Sequence, residues 1–126
     1  LYQRLTTVRT RQEVQELEAE LRDRFGPPPP PVQALLYAVR LRLLAAEAGV
    51  AAVAREGDTA VLHLRYGVGG ARVPLERHLG TLCTVGNEQV RVNLFRMGKG
   101  WQQGLEVVLE RLKAFAERLR TAAGAG

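Results

Sequence analysis

Few side chains in this sequence could do covalent or metal chemistry. There is one cysteine, Cys83, two histidines, His63 and His78, and no serine. Without serine a Ser-His-Asp triad is excluded. The histidines show no metal-ligand spacing with each other or with Cys83, whereas a structural zinc takes four ligands and a catalytic one usually three. Neither a metal site nor a cofactor is expected. Cys83 has no helix N-terminus or basic cluster near it in sequence to lower its pKa, so it reads as a small buried apolar residue. A single cysteine cannot close an internal disulfide, which suits the reducing cytoplasm expected for this chain. Gly67-Val68-Gly69-Gly70 and Gly98-Lys99-Gly100 look like fragments of phosphate-binding loops. A P-loop needs G-x-x-x-x-G-K-[ST], and Lys99 is followed by Gly100 and Trp101. No catalytic residue emerges, and the chain does not read as an enzyme.

The chemistry that does stand out is charge on one segment. Residues 12–23 carry five acids and one base, in a chain whose net charge is +5. At about 100° per residue, Glu13, Glu16, Glu20 and Asp23 fall within an arc of roughly 80°. The arc lies away from the apolar stripe of Val14, Leu17, Leu21 and Phe25. Such a helix packs one side on a core and presents carboxylates outward. Arg24 follows Glu20 by four, and Arg22 follows Glu18 by four, the favourable order for ion pairs along a helix. Two readings stand side by side. One is a solvated face that complements the helix dipole; the other is a docking face for a basic partner, where charge sets register and specificity.

The basic residues, 16 Arg and 2 Lys, form no run and do not interleave with aromatics. A nucleic-acid-binding appendage using Arg40, Arg42, Arg65, Arg72, Arg91 and Arg96 is the alternative that this basic balance keeps open.

The elements that position these groups follow from periodicity. The chain's 126 residues favour a single domain, 1–126, with one modest core. No apolar run approaches the ~20 residues that span a bilayer, so no membrane partner is expected. The chain opens at Leu1 inside helical-looking sequence and reads as a piece of a longer protein. Thr10 with Glu13 fits a capping box, and the apolar stripe predicts a helix over 11–25, stopped by Gly26 and Pro27–Pro31. The five prolines form a stiff elbow. A second helix spans 31–48, with Val32, Leu35, Leu36, Val39, Leu43 and Ala46 on one side and Gly49 at its end. The period then shifts to two. Strands are expected at 50–54 and 59–66, the latter alternating Ala60, Leu62, Leu64 against Val61, His63, Arg65. One or two helical turns follow at 74–79, then a hairpin of 81–85 and 89–95 around Gly86-Asn87-Glu88. A long amphipathic helix over 101–120 carries Leu105, Val108, Leu109, Leu112, Ala116 and Leu119 on one face, and 121–126 is a frayed tail. The order gives an α+β fold: two N-terminal helices, a small mainly antiparallel sheet and a long C-terminal amphipathic helix.

Glu20-Leu21-Arg22-Asp23-Arg24-Phe25-Gly26, then Pro29 and Leu35-Leu36, resembles the C-terminal domain of bacterial transcription-repair coupling factors, where E-L-x-D-R-F-G precedes a Pro and L-L. The similarity continues through Arg40-Leu41-Arg42, Ala45 and Gly49-Val50, and Leu1–Leu5 is similar to the family's opening segment. It is good over residues 1–50 and weak over 51–100; the five-proline elbow departs from the family pattern. The resemblance implies a multidomain DNA translocase with ATPase activity that displaces stalled RNA polymerase and recruits UvrA through a UvrB-like module in transcription-coupled nucleotide excision repair. It implies that the C-terminal domain is regulatory and non-catalytic, packs on that UvrB-like module of the same chain, masks the UvrA-binding surface and restrains the motor without binding nucleic acid itself. By position, Glu16, Glu20, Asp23 and Arg24 would form the docking face.

Overall fold

The computed structural model describes residues 7–125, with side chains through residue 122. Its compact units are Leu1–Leu44 and Ala45–Gly126. The secondary structure is α+β, as the periodicity predicts.

In the first unit, α1 spans Arg11–Phe25. Thr10 is its N-cap: the hydroxyl oxygen accepts the Glu13 N–H at 3.2 Å. The Glu13 carboxylate reaches back one residue further than the capping box predicts, accepting the Arg9 N–H at 3.4 Å. Gly26 ends the helix at φ +78, a backbone region that costs glycine little. α2 runs Pro30–Glu47, opening with Pro in the first turn, where a missing N–H costs nothing. Val8, Val14, Leu17 and Leu36 form the core of this unit, with Leu21, Val32, Leu35, Val39 and Leu43 packed against it. Phe25 departs from the expected inward stripe: it is 77% exposed. Leu21 is the last residue of α1 in the cluster, and Phe25 lies one turn beyond it, against Gly26.

In the second unit, β1 (Val50–Glu56), β2 (Thr59–Leu64), β3 (Cys83–Val85) and β4 (Gln89–Asn93) form one antiparallel sheet in the order β1-β2-β4-β3. β1 pairs with β2 from Glu56↔Thr59 to Val50↔Leu64, with a register shift between Val50 and Ala52. β2 does not alternate as expected: Ala60, Val61 and Leu62 are all buried. It is an inner strand covered on both faces there, so consecutive apolar residues are all useful. α3 (Arg72–Leu79) packs on β3 and on the long helix, α4 is the short turn Leu94–Met97, and α5 spans Trp101–Ala125. α5 therefore continues through the segment expected to fray. Leu105, Val108, Leu109 and Leu112 bury one face of it, at spacings of three and four. Leu119, expected on that face, is 48% exposed, and Ala46 of α2 is exposed as well.

The β1–β2 turn is held from two sides. The Leu94 N–H donates to the Asp58 carbonyl at 2.8 Å, and the Arg55 guanidinium lies 4.9 Å from the centre of the Trp101 ring. Among the described residues no helix is long and apolar enough to cross a membrane.

Candidate docking surface

The residues singled out for covalent or metal chemistry are placed apart and given other work. Cys83 is buried in β3, where burial pushes its thiol up to about 11 while Arg111 pulls it down. A thiol so raised is a poor nucleophile at neutral pH. His63 is exposed on β2. His78 is half-buried, its ring 5.7 Å from that of Phe115 and its Nε2 3.1 Å from the Arg111 carbonyl oxygen. Among the described residues no three His, Cys, Asp or Glu side chains converge. In the glycine loop, the Gly69 N–H donates to the Asn87 side-chain oxygen at 3.1 Å and the Val68 N–H to the Asn87 carbonyl at 2.8 Å. Two donors that an anion would need are thus turned onto the β3–β4 hairpin.

The outward side of α1 is built differently. The arc of Glu13, Glu16, Glu20 and Asp23 exists because α1 is regular from Arg11 to Phe25, fixed at one end by Thr10 and at the other by Gly26. Glu13, Glu16, Asp23 and Arg24 are exposed; Glu20 is half-buried. Glu20 lies about 60° around the helix from Leu17 at 100° per residue, so it borders the packed side. Arg24 Nη2 stands 3.8 Å from Glu20 Oε1, the i,i+4 pair that the spacing predicts. That contact is long and solvated, worth about 0–1 kcal/mol. The second expected pair does not form. Glu18 points to α2 instead, where Arg40 Nη1 lies 3.6 Å from its Oε1, while Arg22 is exposed. A residue on a neighbouring helix outcompetes the one four places along.

The structure therefore brings Glu16, Asp23 and Arg24 onto the solvent-facing part of one helix, with half-buried Glu20 at its border, and adds a neighbour that the stripe assigns to the core, Phe25. Its place at the last helical position, before Gly26 and the prolines, was the signal for that exposure. The face is thus carboxylate-rich and ends in an exposed aromatic ring, a side-chain type that interfaces are enriched in.

The model of the TRCF domain family matches residues 1–67. The chain belongs to the TRCF domain family. The match takes in more than half of the chain, including the whole of α1 and α2 and the β1–β2 hairpin. No curated protein matches the chain at a significant level. Membership ties this TRCF domain to transcription-repair coupling factors and so to DNA repair.

Proposed function

We propose that this chain is one non-catalytic regulatory domain, 1–126, of a transcription-repair coupling factor, and that α1 is its grip on the rest of that protein. Glu16, Glu20 and Asp23, flanked by Arg24, dock on basic residues of a UvrB-like module in the same polypeptide. Docking masks the surface that receives UvrA and restrains the ATP-dependent translocase in the cytoplasm. RNA polymerase acts on this domain only through the parent protein. The observation that carries the reading is the acidic arc of α1, exposed at Glu13, Glu16 and Asp23 and half-buried at Glu20, within the segment matched by the family.

The energetics suit a latch. Partly buried charge-assisted hydrogen bonds are worth about 1.5–3 kcal/mol each, and exposed ion pairs about 0–1. A few together favour the closed state by about a hundredfold, since ~2.8 kcal/mol is two decades. A latch of that size holds at rest and yields when polymerase is engaged.

The test is Glu20→Ala with Asp23→Ala in the full-length protein. UvrA affinity and basal ATPase are expected to rise, by up to about a hundredfold if the two carboxylates carry the latch, with the fold unchanged. Added salt acts in the same direction by screening. If both readouts stay where they were, α1 is not the latch. The nucleic-acid reading has less to stand on: of its six arginines, Arg40 is paired with Glu18 and Arg91 with Glu56 at 3.4 Å. A gel-shift titration separates the two, since an appendage binds in a steeply salt-dependent way.

A further inference from the structure

Within the second unit, a groove of about 460 Å³ opens between one face of α5, the end of α2 and the loop after β2. Its apolar floor is Leu64, Leu75, Leu112 and Phe115, and Ala46, Ala48, Gly49, Gly67, Ala71 and Ala116 leave backbone close to its surface. Two large apolar side chains that line it stand open to solvent, Tyr66 at 82% and Leu119 at 48%. Beyond its packed stretch the apolar face of α5 continues with half-buried Phe115 and Ala116 and exposed Leu119. The volume lies in the range of ligand and peptide pockets, roughly 300–1,000 Å³.

The charge around the groove has one sign. Its only carboxylate, Glu47, is neutralised by Lys113 Nζ at 2.8 Å. The other charged lining residues are Arg65 and Arg120, both exposed. Neither guanidinium makes an ion pair or hydrogen bond among the described residues. An apolar trough with two uncommitted guanidiniums selects a ligand with apolar anchors and nearby carboxylates. Arginine suits this because its planar fork meets a carboxylate bidentately.

We infer that the groove receives an acidic amphipathic peptide segment of a partner protein, its apolar side chains on the floor beside Phe115 and Leu119 and its carboxylates on Arg65 and Arg120. The mode is a helix laid in a groove, with anchors at i, i+3 and i+4. The groove shares no residue with α1 and carries the opposite charge, so it addresses a different partner.

The test pans a display library of random peptides, roughly 16 residues or four helical turns long, on the 126-residue chain. Enriched peptides are then titrated by fluorescence anisotropy against the chain, against Arg65→Glu with Arg120→Glu, and against Ala116→Trp, which fills the trough. Enriched sequences are expected to carry Asp or Glu beside apolar residues at helical spacing. Both variants should weaken them by about tenfold or more, with far-UV circular dichroism unchanged. The charge-reversed variant keeps the trough and tests the guanidiniums alone, so the result does not hang on Ala116→Trp folding well. Enrichment of basic or uncharged peptides, absence of any enrichment, or affinity indifferent to the charge reversal overturns the proposal. So does a single-stranded oligonucleotide that binds in a manner dependent on Arg65 and Arg120.

Discussion

In the first unit, two of the carboxylates of α1 have arginines beside them, Glu20 with Arg24 and Glu18 with Arg40; in the second, the guanidiniums of Arg65 and Arg120 border an apolar groove with no ion partner. The net charge of +5 conceals this division. One part of the chain shows acid on a basic protein, and another shows base that its own acids do not satisfy. Local partner choice, not the overall sum, sets what each surface attracts. The units differ in the same way inside. The first is closed by a handful of side chains around Leu36. The second buries Leu62, Leu75 and Leu109 almost completely, with Val61, Val90 and Val92 beside them.

The largest expected effects come from those cores. Leu36→Ala and Leu109→Ala should each cost about 2–5 kcal/mol, because a fully buried leucine loses its transfer energy and leaves a cavity. Trp101 is the only tryptophan and lies in the second unit, so its fluorescence reports that unit, while circular dichroism at helical wavelengths reports both. α2 runs unbroken from Pro30 to Glu47 across the division, so the two signals are expected to move together in urea for either variant. If Leu36→Ala shifted the dichroism midpoint alone, the chain would be two folding units rather than one.

A smaller effect is expected at the sheet edge. β3 is an outer strand, and the Val85 N–H donates to Glu76 Oε2 of α3 at 2.9 Å instead of to another strand. Glu76→Ala leaves that donor short of a partner and should cost about 1–3 kcal/mol. Glu76→Gln keeps an acceptor and should cost less, as seen in the urea midpoint of each. The matching test in the first unit is Thr10→Ala, which removes the N-cap of α1 at about 1 kcal/mol. A loss at Thr10 as large as that at Leu36 would mean that α1 depends on its cap more than on its packing.

Much of the fold was legible in the sequence because local signals agreed there with the tertiary outcome. Thr10, Gly26 and the prolines bound α1 correctly; Gly49, Gly80 and the change of period placed the later elements. β2 was harder, since alternation assumes one wet face and an inner strand at 60–62 has none. Spacing along one helix pairs Glu18 with Arg22 because it cannot reveal Arg40 on another helix. Periodicity alone counts Phe25 as core, but it does not say whether a stripe is covered along its whole length, and Phe25 is exposed. The groove was invisible for the same reason. Leu64 and Tyr66 are distant in sequence from Phe115 and Leu119, and only folding shows that the four line one groove. The shared helix of Glu16, Glu20, Asp23 and Arg24, the proposed docking residues, is legible because all four lie between Thr10 and Gly26.

The smallest effect separates the two units by pH. Burial raises the Cys83 thiol from an ordinary 9.0 to about 11, with Arg111 opposing. A group whose pKa is higher folded than unfolded holds its proton more tightly in the native state. Its contribution to stability is complete below about pH 9 and is lost as pH climbs through about 11. Near neutral pH nothing changes. The signature is a difference of differences: between pH about 8 and about 10.5 the urea midpoint of the wild type should fall further than that of Cys83→Ala, which has no thiol to ionise. The cavity left by alanine lowers the variant at both pH values and cancels. Tyrosine and lysine titrations are common to both proteins and cancel too. The thiol should also react with a disulfide reagent far more slowly in the native chain than in urea, because the thiolate is the reactive form. Parallel midpoint curves together with fast native modification would place Cys83 within reach of water and remove it from the core of the second unit.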